Sequence, residues 1–223
     1  MGDPEWFRAS RWDAGTAERF EALLRRARAS NRAQYIRIQA SHLVESPDAV
    51  TREIGRALLR RVIDDYPDDD FETKCAWEQL GDSLATEGRL DDAENALRET
   101  LRRIHASATG ASGTSGTTEL RLAEVLIYRG DTASIDQAGQ LLAIVEPAVR
   151  TQAFLRDVLY RYFLACARVA HAQHAAQAAA ELACAALRVA DDISTPLPRH
   201  PAVGRTHPTY AERAELHSIA SAE

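Results

Sequence analysis

Residues 77–84 read Trp77-Glu78-Gln79-Leu80-Gly81-Asp82-Ser83-Leu84, and this stretch decides the fold. Its apolar residues recur three or four positions apart, the spacing that places side chains on one face of a helix. Gly81 lies on the same face and, because it has no Cβ, it lets a second helix approach closely. The stretch therefore predicts the first helix of a tightly packed helix pair.

A second helix follows a turn at Gly88, where glycine permits the backbone to leave the first helix. Asp91 and Asp92 open this second helix, where carboxylates suit the positive end of the helix dipole. Apolar side chains then return to the first helix at Ala93, Leu97 and Leu101. One such pair cannot bury both of its faces, so we expect neighbouring pairs.

The segment from Lys74 to Leu101 resembles one complete tetratricopeptide repeat, with the pattern W-x-x-L-G-x-x-[Y/L], then Gly, Ala and a bulky apolar residue. It departs from that pattern at Thr100, which replaces the usual small alanine, and no proline closes the repeat. The resemblance implies an all-α, right-handed solenoid of antiparallel helix pairs. With the divergent segments on either side, we expect about nine helices plus a short C-terminal helix.

Helical periodicity continues on both sides of this pair. Upstream, we expect a helix over residues 14–29 that Ser30-Asn31 interrupts, then a divergent pair whose second helix has Ser46 as N-cap and Pro47 at its first position. Downstream, we expect helices over residues 117–129, 134–149, 151–171, 174–190 and 210–220. The chain thus divides into a capping segment (1–30), a repeat domain (31–190) and a proline-containing tail (191–223).

Composition favours a cytoplasmic protein with neither membrane nor nucleic-acid partners. No apolar run approaches the length of a membrane span, and the N-terminus carries acidic residues rather than an apolar signal core. Three scattered cysteines are too few for a disulfide framework, which favours a reducing compartment. A net charge of −6 disfavours nonspecific binding to nucleic acid. Lys74 is the only lysine among 27 basic residues, which is typical of a high-GC bacterial genome.

Two segments outside the helices have alternative interpretations. The first contains Trp6, Phe7 and Trp12 with two arginines, which is typical either of a cap on the first helix or of an interaction hot spot. The second, residues 107–116, is too rich in glycine and small polar residues for a helix, so it predicts a flexible connector. Its amides could instead bind an anion before the next helix, but the Gly-Lys-Ser/Thr ending of a phosphate-binding loop is missing.

A metal site and a catalytic site are disfavoured, and we expect no cofactor. His171 and His174 are three residues apart and could face one metal with Cys166 or Cys184 nearby. The alternative is that His171 lies at a helix C-terminus and His174 in the following turn. No set of nucleophile, base and orienting residue is apparent, so the sequence favours a noncatalytic protein.

The tetratricopeptide resemblance implies that a protein or peptide binds in a groove lined by the first helices of successive pairs. The groove residues of this sequence that we expect to contact it are Glu78, Asp82, Glu124, Ile127 and Tyr128. The basic and asparagine residues that clamp a C-terminal carboxylate in chaperone-binding members are missing, and the three carboxylates favour a basic partner. A scaffold or regulator is therefore the preferred function, with self-association as a variant. A protein that neutralises a toxin or enzyme, in immunity or stress response, is the alternative, and a metal-dependent enzyme is the third.

Overall fold

A computed structural model of the chain describes residues 5–192, 194, 199–200 and 203–221. All the regular structure in this part of the chain is helical, as the sequence predicts, and ten helices follow one another. The helices are α1 (Ala14–Arg26), α2 (Ala29–Val44), α3 (Ala49–Asp65), α4 (Asp70–Thr86), α5 (Leu90–Ala106), α6 (Thr118–Arg129), α7 (Thr132–Thr151), α8 (Arg156–Ala172), α9 (Ala176–Asp191) and α10 (Tyr210–Ala220). None of the described helices is both long enough and apolar enough to cross a bilayer.

The chain folds as two compact units, residues 1–118 and 119–223. In the first unit each helix from α2 to α5 packs against the next along the chain, and in the second the same holds from α7 to α10. These neighbouring contacts are those of a helical solenoid. The boundary between the units falls inside residues 31–190, the range predicted above as one repeat domain.

The predicted close approach of the first helix pair is confirmed at Gly81. A Cβ on Gly81 would lie 2.7 Å from Cγ of Leu97 and 3.4 Å from the carbonyl oxygen of Ala93, so only glycine leaves room for α5. Ala93 and Leu97 are both fully buried. Gly88, with φ of +74°, makes the turn after α4. Sequence and structure agree here because all the contacts come from residues within one helical hairpin.

The predicted N-cap of α3 was wrong. Asp48 rather than Ser46 caps this helix, since its carboxylate accepts hydrogen bonds from Thr51 N at 2.8 Å and Thr51 Oγ1 at 2.7 Å. Ser46 instead accepts a 3.2 Å bond from Asp48 N, which positions the true cap. Asp48 and Thr51 lie three residues apart, the spacing of an N-cap and the amide donor that it caps, and that spacing outweighs the signal from Pro47.

Two other predicted helix boundaries were also wrong. The break between α1 and α2 lies at Ala27 and Arg28, and Ser30-Asn31 is inside α2. Arg32 stabilises this earlier break, because its guanidinium donates to the carbonyl oxygens of Arg25 and Ala27 at the end of α1. Likewise, α8 begins at Arg156 rather than at residue 151, because α7 continues through Pro147 to Thr151. The turn between them is closed by a 2.7 Å hydrogen bond from Leu155 N to the Gln152 carbonyl.

The core of the second unit lies between α8, α9 and α10. Its small residues Ala179, Ala183 and Ala186 are almost fully buried, as expected for positions where helices pack closely. The short terminal helix is confirmed as α10, and a capping box between Thr209 and Glu212 begins it.

Candidate functional site

Glu78 is buried rather than open to a groove, with only 6% of its surface exposed. Its carboxylate accepts hydrogen bonds from Ser115 N at 2.8 Å, from Ser115 Oγ at 2.7 Å and from Thr118 Oγ1 at 2.6 Å. The predicted partner residue therefore holds a segment of its own chain.

Lys74 lies one helical turn before Glu78 and is completely buried. Its ammonium donates to Gly110 O and to Thr109 Oγ1, both at 2.8 Å, and to Ser107 Oγ at 3.2 Å. Asp70 adds an ion pair at 3.6 Å. A compact ammonium with three donors suits three oxygens that converge on one point better than a planar guanidinium does, so a lysine at this position has a structural reason.

We call residues 107–117 the covering loop, because they lie over α4 between these two charged side chains. As the sequence predicts, they lie outside the helices, and Gly110, Gly113 and Gly116 all have positive φ values. Gly113 packs directly on the helix: a Cβ there would be 2.5 Å from Cζ of Phe71 and 3.0 Å from Sγ of Cys75. The flexible connector expected from the sequence is therefore anchored to α4 at both ends and in the middle.

The Cys75 thiol lies beneath the covering loop and is 2% exposed. Burial raises the pKa of Cys75 to about 11, because a thiolate is poorly solvated there. At neutral pH this thiol is protonated, and a protonated thiol is a poor nucleophile.

The end of α4 that carries Asp82 adjoins a network of charged side chains. Arg56, 3% exposed, pairs with Glu53 at 2.7 Å and Glu87 at 2.9 Å and donates to Ser83 Oγ at 3.1 Å. Asp82 itself is half-buried, one turn beyond Glu78. Each carboxylate in this network already faces a guanidinium, and this pairing lowers the tendency of the network to attract a further cation.

The other predicted partner residues lie on α6, in the second unit. Glu124 is half-buried and forms a two-bond ion pair with Arg161 of α8, in which Arg161 Nε donates to Glu124 Oε1 at 2.7 Å. Ile127 is half-buried and Tyr128 is 64% exposed. These three residues are spaced three and four positions apart, so they follow one side of the helix.

Tyr128 is held in place although it is exposed. The guanidinium of Arg168 lies 5.6 Å from the centre of the Tyr128 ring, within the range of a cation–π contact. Glu215 of α10 accepts two bonds from Arg168, at 2.8 Å and 2.7 Å. Burial lowers the pKa of Arg168, but the hydrogen bonds and charge of Glu215 outweigh it and raise that pKa overall. Sequence reasoning missed Arg168 and Glu215 because they are 47 positions apart.

His171 and His174 lie where the alternative to a metal site places them, at a helix C-terminus and in the turn that follows. His171 lies in the last turn of α8, and His174, with φ of +59°, accommodates the turn before α9 and donates its N–H to the His171 carbonyl at 3.0 Å. Across the described residues, no three His, Cys, Asp or Glu side chains group closely enough to hold a metal ion. Burial raises the pKa of Cys166 to about 11, which disfavours its thiolate as a ligand.

The N-terminal aromatic segment folds onto α1 and α2. Trp6 and Trp12 both contact the Phe20 ring, with centroids 5.4 Å apart, and Phe7 stacks on Tyr35 at 4.5 Å. Gln39, fully buried, fixes the segment with two hydrogen bonds to the backbone of residue 9. A cavity of about 380 Å³ lies beside it, lined by Glu5, Trp6, Arg8, Ala9, Thr16, Arg19 and Phe20. These contacts support the capping interpretation of the segment.

No family model matches this chain, and neither a curated protein nor a solved structure matches it. The tetratricopeptide resemblance therefore depends on the pattern from Lys74 to Leu101 and on the packing of successive helices.

Proposed function

We propose that this chain is a noncatalytic helical scaffold of the tetratricopeptide type, which binds a protein or peptide partner with Tyr128 at the contact. The observation that carries the proposal is that Tyr128 is exposed and yet held, with the Arg168 guanidinium over its ring, 5.6 Å from the ring centre. Tyrosine and arginine are the residue types that dominate binding hot spots. An aromatic ring that is already ordered loses little further entropy when a partner covers it.

The surroundings of Tyr128 suit a protein contact. Ile127 supplies a half-exposed apolar neighbour, while Glu124 is fixed by Arg161 and Arg168 by Glu215. Charged groups paired within the protein form a polar rim whose charges need no partner from outside. The result is an aromatic anchor in a preorganised frame.

The described titratable groups support a noncatalytic role. The thiols of Cys75 and Cys166 have pKa values raised by burial, which makes them poor nucleophiles. Lys74 and Glu78, two of the buried charged residues on α4, are engaged by the covering loop. All three cysteines are free, which supports a reducing compartment, so the proposal includes a cytoplasmic location.

The charge argument for a basic partner applies less strongly than the sequence suggested. Glu78 lies one turn from Lys74, and Glu124 is paired with Arg161, so each carboxylate has a cation of its own chain nearby. Asp82 adjoins the network in which Arg56 pairs with Glu53 and Glu87. We therefore propose a partner that contacts Tyr128 mainly through apolar and aromatic side chains.

Affinity purification from the native cell with three versions of the protein tests the proposal. We expect the same partner with the wild type and with Tyr210→Ala, since Tyr210 is also an exposed tyrosine, at 89% exposure, on a different helix. Tyr128→Ala should lose that partner or retain about one tenth of it, the loss typical of a hot-spot side chain. Equal recovery with Tyr128→Ala and Tyr210→Ala would refute a contact at Tyr128. If the recovered partner is an enzyme or toxin whose activity falls on binding, the neutralising role replaces the adaptor role.

A further inference from the structure

The covering loop fills the face of α4 on which the sequence places a partner. Lys74 and Glu78 are four residues apart, so they project from the same side of the helix. Both bind the loop: Lys74 donates to the Gly110 carbonyl and to two loop hydroxyls, and Glu78 accepts from the N–H and the hydroxyl of Ser115. Glu78 also accepts a bond from Thr118, the first residue of α6. An extended segment of this chain therefore occupies the surface already.

The contacts of the covering loop are of a kind that opens at low cost. Its side chains are small, and Ala108 and Ala111, its two apolar residues with side chains, are both exposed. Its close packing on α4 comes from Gly113, against Phe71 and Cys75. When the loop leaves, the charges of Lys74 and Glu78 regain the hydration that burial removed, which offsets part of the lost hydrogen bonding. A loop held by apolar side chains alone would uncover no charged group, so its opening would regain no such hydration.

The two charged residues also define what can replace the loop. Lys74 recognises a main-chain carbonyl with neighbouring hydroxyls, and Glu78 recognises the main-chain N–H and the hydroxyl of one serine. Because Lys74 and Glu78 carry opposite charges one turn apart, the pair as a whole does not select for a basic segment. Glycine at the position over Phe71 and Cys75 is required, since a Cβ would collide there.

We propose that the covering loop is displaceable, and that α4 binds in its place an extended Ser-, Thr- and Gly-rich segment of a partner protein. This inference rests on the proposed scaffold function and adds a second contact to it. The loop is tethered, and tethering gives it an effective concentration of about millimolar, so a free segment binds well only when the loop is out. The loop thus keeps the site closed until a competing segment is presented.

Cys75 provides a direct measure of loop opening, because Gly113 covers its sulfur. We would label the full chain with N-ethylmaleimide and follow Cys75 alone by peptide mass mapping. Gly113→Ala should raise the labelling rate about tenfold, since its Cβ would collide with Phe71 and Cys75. Gly88→Ala is the matched control: it has the same kind of positive φ and a Cβ there meets nothing within 4 Å, but it lies outside the covering loop. Equal rates at Cys75 in the two variants would overturn the displaceable loop.

A second variant keeps the test valid if Gly113→Ala does not fold. Ser115→Ala removes a hydroxyl that binds Glu78 and adds no atoms, so it should raise Cys75 labelling by a smaller factor without any collision. Circular dichroism identifies the folded variants. No acceleration in folded Ser115→Ala would also overturn the proposal.

The binding step uses a synthetic peptide with the sequence of residues 107–117 as the probe. At millimolar concentration it should slow the labelling of Cys75 in Gly113→Ala, while a peptide with alanine at each Ser and Thr should not. Failure of the first peptide to protect an opened Cys75 would refute the site, as would better protection by a peptide with arginine in place of the hydroxyl residues. Partner loss in Tyr128→Ala decides the proposed function separately, because Cys75 labelling requires no partner.

Discussion

Lys74 donates a 2.8 Å hydrogen bond to the carbonyl oxygen of Gly110, 36 residues further along the chain. This contact buries the only ammonium side chain of the protein completely. A buried charge is tolerated only when its hydrogen bonds are satisfied, and here the covering loop supplies all three oxygen acceptors. The helix pair and the loop are therefore energetically coupled.

Lys74→Met is expected to lower the free energy of unfolding by about 2 kcal/mol, the size of a hydrogen bond to a charged group. Methionine keeps the apolar stem, so the loss reports on the ammonium. Urea unfolding followed by circular dichroism measures it. Arg98→Met is the control, because Arg98 is 41% exposed and its i,i+4 pair with Glu94 contributes about 0.3–0.5 kcal/mol. Equal effects of the two substitutions would contradict a structural role for Lys74.

Gly81→Ala is expected to destabilise the protein by about 1–3 kcal/mol, although alanine favours helix more than glycine does. The new Cβ would lie 2.7 Å from Leu97 Cγ on a side chain that is itself fully buried and cannot retreat. Gly15→Ala in α1 is the matched control. Its Cβ would meet only Asp13 Oδ1 at 3.6 Å, so the ordinary gain of about 0.4–1 kcal/mol should appear. A stabilised Gly81→Ala would mean that α5 does not pack as closely as described.

The true cap of α3 can be identified by comparing two substitutions. Asp48→Ala should lower the free energy of unfolding, because it removes the acceptor for Thr51 N and Thr51 Oγ1. Ser46→Ala should cost less, since Ser46 accepts only one 3.2 Å bond from Asp48 N. Chemical denaturation of both variants decides the matter. The reverse order of effects would restore Ser46 as the cap.

The sequence predicted the helix pairs because their contacts are local. Gly81, Ala93 and Leu97 meet across one short turn, and helical spacing alone places them on facing sides. The alanine positions of α9 and the bounds of α10 follow from the same kind of pattern. Periodicity thus identifies which faces are buried wherever partners are neighbours in the chain.

The environment of the candidate site could not be predicted, because its contacts join residues far apart in the chain. Glu78 meets Ser115 across 37 positions, and Glu124 meets Arg161 across 37. A buried carboxylate and a solvated one have the same spacing on a helix, so periodicity does not distinguish them. Two features of the sequence could have indicated this environment. One is Lys74 of α4, the single lysine of the chain, and the other is the presence of three glycines in the covering loop.

Tyr160 has a hydroxyl that is buried without a hydrogen-bond partner among the described residues, at 4% exposure in the core of α8, α9 and α10. Burial raises the pKa of Tyr160 from 10.0 to about 12, because a phenolate is disfavoured there. Between these two values the unfolded chain releases a proton that the folded chain retains. The free energy of unfolding should therefore fall as the pH rises from about 10 to about 12.

Tyr160→Phe should remove the part of this alkaline decline that Tyr160 causes. At neutral pH the variant should be as stable as the wild type or up to about 1 kcal/mol more stable, because an unsatisfied hydroxyl no longer has to be desolvated. Urea unfolding at neutral pH and at several pH values between 10.0 and about 12 compares the variant with the wild type. Tyr210→Phe is the control and should change neither value, since its side chain is 89% exposed. A Tyr160→Phe protein that loses more than about 1 kcal/mol at neutral pH would show that the hydroxyl makes a stabilising hydrogen bond. An unchanged alkaline decline in the same variant would show that another buried acid, such as Cys75, causes it.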